Sequence, residues 1–256
     1  MTILSAAPRV GALARRAKAR LRQTIRDRRG VAMIELGLSF PLLLLIGFGA
    51  IETSNLVITH TQLSQIALTV ADNASRIRSE SALALPQVRE ADINQIFTAA
   101  NLQGAKLDIE NKGLIILSSL EQNSEGGQWL HWQRCYGKKA GESSFGKQGD
   151  GSTGTSFPGM GETGAEVVAS DNSAVMFVEI HYDYEPLLFG AIIPDRAIKY
   201  TGAFTVRDKR DLTQIYNPDP VAPVADCSDF TLDEAVQEPP VGAMGALPPP
   251  DAIEMP

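Results

Sequence analysis

Three groups of residues have types and spacings with chemical meaning. The sharpest is Gly30 followed five positions on by Glu35, where the chain reads Arg28-Arg29-Gly30-Val31-Ala32-Met33-Ile34-Glu35. Glu35 is the one ionisable residue in the apolar run from Val31 to Ile51. A charged group at the centre of a membrane helix costs about 2.5 to 3.5 kcal/mol on insertion scales and less near an end, so a glutamate there needs a reason. The second group is the histidines, His60, His131 and His181, which are too scattered to form a metal-ligand motif with a cysteine or an acid. The third is Gly159-Met160-Gly161-Glu162-Thr163-Gly164. It matches a dinucleotide fingerprint formally, but no strand immediately precedes it and no strand–helix–strand unit surrounds it. Asp150, Glu162, Asp171 and Asp183 have no EF-hand spacing. Cys135 and Cys227 form no CxxC redox motif, and there is no nucleophile elbow or paired catalytic carboxylate. The chain is therefore expected not to be an enzyme and to use no cofactor, no metal and no small-molecule substrate.

The charge distribution gives the first group its setting. Residues 1–30 hold nine basic side chains against one acid, Asp27, a net +8 within a 256-residue chain whose total is -7. An arginine-rich tail alone points to nucleic acid. Here it abuts about twenty apolar residues, which at 1.5 Å rise per residue cross a bilayer core. Basic flanks stay in the cytoplasm, so the expected topology is N-in and C-out, with no nucleic-acid partner. The run is too long for the h-region of a secretory signal and ends in a poor cleavage site, so it should stay in the mature protein.

Beyond the run, Leu56, Leu63, Ile66, Ala67, Val70, Ala74 and Ile77 recur at helical spacing, which predicts one helix over 31–78. Pro41 should kink it inside the membrane, and Gly47 and Gly49 allow a second helix to pack closely. Pro86 is read as the start of a short helix ending before Asn101. Five strands are expected: 106–110 and 114–120 on either side of Asn111-Lys112-Gly113, then 129–137, 174–184 and 198–210. In the fourth, Met176, Val178, Ile180, Tyr182 and Tyr184 share a face; in the fifth, Tyr200, Phe204 and Val206 do. Residues 137–165 are glycine-rich and read as a flexible loop, and 217–256 are proline-rich, acidic and expected to be disordered. The fold class is α+β: a long N-terminal transmembrane and amphipathic helix, then an antiparallel-sheet domain with a short helix. The expected segments are a basic leader (1–30), a span (31–51), an amphipathic extension (52–80), a folded domain (81–216) and a tail (217–256).

The junction resembles that of type IV prepilins, whose leader is cut on the cytoplasmic face after such a glycine and whose fifth mature residue is a glutamate that pairs with a new N-terminal amine. The longer run RRGVAMIELGLSFPLLLLIGFGAIE resembles the start of the TadE-like family, pilin-like proteins of tight-adherence (Flp) pilus assembly, at Arg28, Gly30, Glu35, Pro41, Gly49 and Glu52. Leu36 stands where members commonly have an aromatic. The resemblance implies a minor pilin or pseudopilin of the bacterial inner membrane with a periplasmic domain. It implies processing between Gly30 and Val31 by a prepilin peptidase, subunit registry through Glu35, and other pilus-assembly or pilin-like subunits as partners. In an oxidising periplasm, Cys135 and Cys227 are candidates for a disulfide that staples the C-terminal region to the third strand; two free thiols is the other reading. Two other functions stay open. One is a signal-anchored periplasmic scaffold or binding protein without leader processing, and the other a membrane-tethered periplasmic enzyme.

Overall fold

The computed structural model describes residues 18–20, 22, 29–77, 85–188, 190 and 195–230. Most of the basic leader, residues 78–80 of the expected helix extension, and the tail from 231 onward lie outside the described residues. The chain forms two compact units. One comprises the described residues within Met1–Ile58 and Glu185–Pro194; the other those within Thr59–Tyr184 and Asp195–Pro256. The architecture is α+β, as the periodicities require.

Helix α1, Arg29–Ser75, passes through both apolar segments without a break in its helical assignment, with Pro41 inside it. In the second unit its buried residues include Thr59, Leu63, Ile66, Ala67, Val70, Ala71 and Ala74, a stripe at steps of three and four. Its last turn contains no basic residue. Arg210 substitutes from a distance, donating through Nη1 to the Ala74 carbonyl at 3.1 Å and through Nη2 to that of Ser75. A cation at the negative end of a helix dipole is favourable, and here it also occupies carbonyls that the helix leaves unpaired.

Helix α2, Glu90–Gln103, starts four residues later than Pro86 suggested. Arg89 is extended, at φ -115° and ψ 150°, because this stretch pairs with a distant segment. Tyr216 N–H donates to the Val88 carbonyl at 2.8 Å and Glu90 N–H to the Tyr216 carbonyl at 3.0 Å. Asp92 then fixes the start, accepting from the Arg89 backbone N–H at 3.3 Å and from its guanidinium at 2.8 and 2.9 Å. The expected strand at 106–110 is not a strand. It is a 3₁₀ turn, Ala105–Leu107, and a one-turn helix α3, Ile109–Lys112, joined at Asp108 in the left-handed region (φ 52°). Leu107 and Ile109 are both buried, and their i, i+2 spacing imitated a strand.

Four strands follow: β1 Gly113–Gln122, β2 Gln128–Tyr136, β3 Val175–Tyr184 and β4 Arg196–Thr205. They form one antiparallel sheet in the order β2-β1-β3-β4, with a register shift in the β1–β2 pair between Ser119 and Leu120. Gly202 of β4 lies against α1: a Cβ there would stand 2.9 Å from the Ala67 carbonyl oxygen. The side-chain set of Ile180, Val178 and Met176, opposite Tyr200, Gly202 and Phe204, therefore faces the helix. The other face is also covered. Leu120, Leu130, Val175 and Phe177 pack with Met160, Ala169, Phe145 and Phe157 from the long β2–β3 connection. That second layer explains why β1 is buried almost throughout instead of at alternate positions.

The glycine-rich 137–165 segment has neither helix nor strand, yet it is tied to the sheet. Leu130 N–H donates to the Asp150 carbonyl (2.9 Å) and Gly149 N–H returns to that of Leu130 (2.8 Å). Asn123 is a hub for this region. Its Oδ1 accepts from Glu125 and Gly127 N–H, both at 2.9 Å, and its Nδ2 donates to the Gly151 and Gly154 carbonyls at 2.8 and 2.7 Å. The tail also departs from expectation, since 217–230 are held to the domain. Asn94 Nδ2 donates to the Pro223 carbonyl at 2.8 Å and Cys135 N–H to that of Ala225 at 2.9 Å. Cys135 and Cys227 are bonded, with Cα atoms 4.9 Å apart at a sequence separation of 92. Prolines remove donors, but the carbonyls they leave serve as acceptors for the domain.

Candidate membrane span and assembly site

In the first unit, the part of α1 from Gly30 has the length and composition to cross a membrane, and its apolar stretch is not buried within the protein. Leu38 is 80% exposed, and Met33, Ile34, Leu42, Leu43, Leu45 and Ile46 are exposed with it. So long an apolar surface is unfavourable in water, at roughly 25 cal/mol per Å². A bilayer core removes the penalty, and the helix satisfies its own backbone groups.

Gly30 and Val31 lie in the first turn of the described helix, and both are exposed. Among the described residues nothing stands within 4 Å of where a Cβ on Gly30 would be, so no packing among them demands glycine there. The same holds for Gly37, Gly47 and Gly49. Glu35 is exposed and lies one helical turn from Val31, on the same face. Among the described residues no side chain or backbone donor meets its carboxylate. Gly30 and Val31, expected at a processing site, Glu35, expected to set registry, and Pro41 are thus on one helix, whereas the cysteine pair belongs to the other unit.

Residues 30–72 match the family model described as TadE-like protein. The chain carries a TadE-like segment. It begins at Gly30 and includes Glu35, Pro41, Gly49 and Glu52, and it covers about a sixth of the sequence. No curated protein and no solved structure gives a match. The TadE-like segment suggests a part in tight-adherence pilus assembly, in association with that machinery and with a membrane.

Glu52, within the TadE-like segment, has a role that its place in the sequence pattern does not display. It is only 7% exposed, although it stands directly after the apolar run. Its two carboxylate oxygens accept the backbone N–H groups of Leu187 and Leu188, at 3.1 and 2.9 Å. The signal that could have found it is the β3–β4 connection, where Leu187 to Pro194 contains no charged residue, an unusual composition for a loop.

The remaining polar groups are used within the second unit. His60 Nδ1 lies 3.1 Å from the Tyr200 hydroxyl, with the rings edge to face. His131 Nδ1 lies 3.0 Å from Glu121, and its ring stacks on Trp129. His181 Nε2 lies 3.4 Å from Glu179, a carboxylate that also accepts from the Ser143 hydroxyl and from Ser144 N–H at 2.8 Å. Ser143 thus donates to the glutamate directly and not to the imidazole, which is not the serine–histidine relay of a nucleophile. Met160, inside the glycine fingerprint, is buried and pairs with Val167 through two backbone hydrogen bonds of 2.7 and 3.2 Å, so those glycines shape a loop turn, not a helix N-terminus. Among the described residues no group of three or more histidines, cysteines and acids is placed to hold a metal ion.

Proposed function

We propose that the protein is a minor pilin or pseudopilin that acts in assembly of a tight-adherence (Flp-type) pilus or a related secretion apparatus. The observation that carries this reading is the order of features on α1: Gly30 at the basic boundary, then an exposed apolar helix whose single early charge, Glu35, has no partner among the described residues. Prepilin peptidase cuts after Gly30 and leaves Val31 as a new N-terminal ammonium group. Glu35 pairs with such an amine on a neighbouring subunit, and because an unpaired charge in lipid is costly, the pairing selects one register among many. The N-terminal segment is cytoplasmic, α1 spans the bacterial inner membrane, and the sheet domain meets other pilin-like subunits in the periplasm. Its role is assembly, without catalysis, cofactor or small-molecule substrate.

The test is intact-mass spectrometry of the protein extracted from membranes of its own host, with and without active prepilin peptidase. A mature chain that begins at Val31 only when the peptidase is present is the expected result. Retention of the leader in both strains would remove peptidase processing from the reading and favour a signal-anchored scaffold.

A further inference from the structure

From Leu36 to Ala71 the sequence contains one carboxylate and no lysine or arginine, and that carboxylate is Glu52. A glutamate one residue beyond a membrane span could reach water freely, yet both its oxygens are covered by the Leu187 and Leu188 N–H groups. Its polar neighbours are internally satisfied too. Thr53 Oγ1 donates to the Gly49 carbonyl and Ser54 Oγ to that of Ala50, each at 2.8 Å. The exposed apolar side chains here are Leu187 at 64% and Leu188 at 46%, with Val57 and Ile58 on the helix just beyond; Glu185, two residues before Leu187, is exposed as well. Leucines whose backbone is held by a capped carboxylate, beside hydroxyls folded back on the helix, suit a lipid interface better than water.

We propose that Leu187 and Leu188, at the start of the β3–β4 connection, form a second membrane contact: they enter the lipid surface beside α1, and Glu52 holds them there. The occupant is lipid, because the exposed leucines continue the exposed apolar surface of the span in the same compact unit. Glu52 is a positioning residue: it fixes the backbone of the leucines at the level where the span ends. The inference rests on the reading of α1 as a membrane span, so its test reports on the two separately.

The test uses the purified full-length chain reconstituted alone into phosphatidylcholine–phosphatidylglycerol vesicles. Cys135 and Cys227 are bonded to each other, so one introduced cysteine supplies the only free thiol for a nitroxide label. Labels are placed by Leu187→Cys and Leu188→Cys, by Leu43→Cys within the span, and by Val221→Cys as an exposed site in the other unit. Collision with oxygen, which partitions into lipid, is compared with collision with a water-soluble nickel chelate. Labels at 187 and 188 should resemble that at 43, with access to the nickel chelate lost, while the label at 221 keeps it. Adding Glu52→Leu should restore nickel access at 188 and leave 43 unchanged. Water-like labels at 187 and 188 with 43 in lipid would overturn the proposal alone. Spin–spin broadening at 187 and 188 would overturn it in favour of a second copy of the chain, and a water-like label at 43 would remove the span reading and this proposal together.

Discussion

Glu35 and Glu52 occupy the same helix and meet opposite fates. Glu52 is satisfied inside the chain by two backbone donors, so its charge is spent on local structure. Glu35 is exposed within the apolar span and remains available to another molecule. Replacing it should therefore spare folding and membrane insertion and act on assembly. We expect Glu35→Ala to resist carbonate extraction as the natural protein does while its amount in isolated pilus-assembly complexes falls; undiminished incorporation would count heavily against a registry role. A residue of another kind is Asp211, which accepts from the Thr213 hydroxyl at 2.7 Å, from the Tyr216 hydroxyl and from the Thr213 N–H at 2.9 Å. These bonds, the Thr213 hydroxyl first, hold its pKa below that of an ordinary aspartate. A carboxyl depressed in the folded state contributes stability in full above the unfolded value, about 3.9, and loses it as pH falls through the lower folded value. Asp211→Asn should thus melt below the natural protein at pH 6, with the gap closing as pH drops below about 4. A gap that is the same at pH 6 and pH 3 would show that the charge is not responsible.

Each element of the sheet domain is placed by a contact that a pattern reading does not display. The strands β1 to β4 were legible because long β-branched and aromatic runs bounded by glycine and asparagine have few other solutions. The buried stripe of α1 was legible for the same kind of reason, its spacing being that of a helix. The one-turn helix at 109–112 was not, since Leu107 and Ile109 fit either a strand or a left-handed turn, and only the αL conformation of Asp108 separates the two. Nor was the true start of α2, which depends on Tyr216, more than a hundred residues away. Gly202 is the clearest example of a hidden contact. Valine is a better strand former than glycine, so propensity alone predicts that Gly202→Val stabilises β4. The helix backbone at Ala67 leaves no room for a Cβ, so overpacking should instead cost toward the upper end of about 1 to 3 kcal/mol, read as a lower urea midpoint. Similarly, Glu90 at the start of α2 receives the Arg134 guanidinium of β2 through Nε at 3.0 and 3.1 Å, and both side chains are largely buried. Truncating one partner leaves the other charge uncompensated, so Glu90→Ala should lose about 3 to 5 kcal/mol of unfolding free energy. Glu90→Leu combined with Arg134→Met should recover most of it; a double variant as unstable as the single one would assign the loss to packing.

For the molecule as a whole, the question is on which side of the membrane the sheet domain folds, and the disulfide makes that measurable. A bond spanning 92 residues removes much loop entropy from the unfolded chain, about 4 to 5 kcal/mol in the chain-entropy model. It ties Cys227, in the proline-rich stretch, to β2 beside Leu114 and Ile116, a join no helix or strand supplies. Such a bond is maintained in an oxidising compartment and is rare where cellular thiols are kept reduced. The proposed N-in, C-out arrangement, which rests on the basic residues before Gly30, would put Cys135 and Cys227 where such a bond is maintained. Host cells quenched with acid and alkylated under denaturing conditions should therefore give a chain with neither cysteine modified, and both should become modified after prior reduction. Alkylation of both cysteines without reductant would place the domain among reduced thiols and sink the proposed orientation. In a strain lacking periplasmic thiol oxidation the cysteines should become free and residues 217–230 more sensitive to protease, because ties such as those at Asn94 and the Cys135 backbone are single hydrogen bonds worth about 1 kcal/mol each. The span and the Glu35 face belong to the other compact unit, so insertion should persist in that strain.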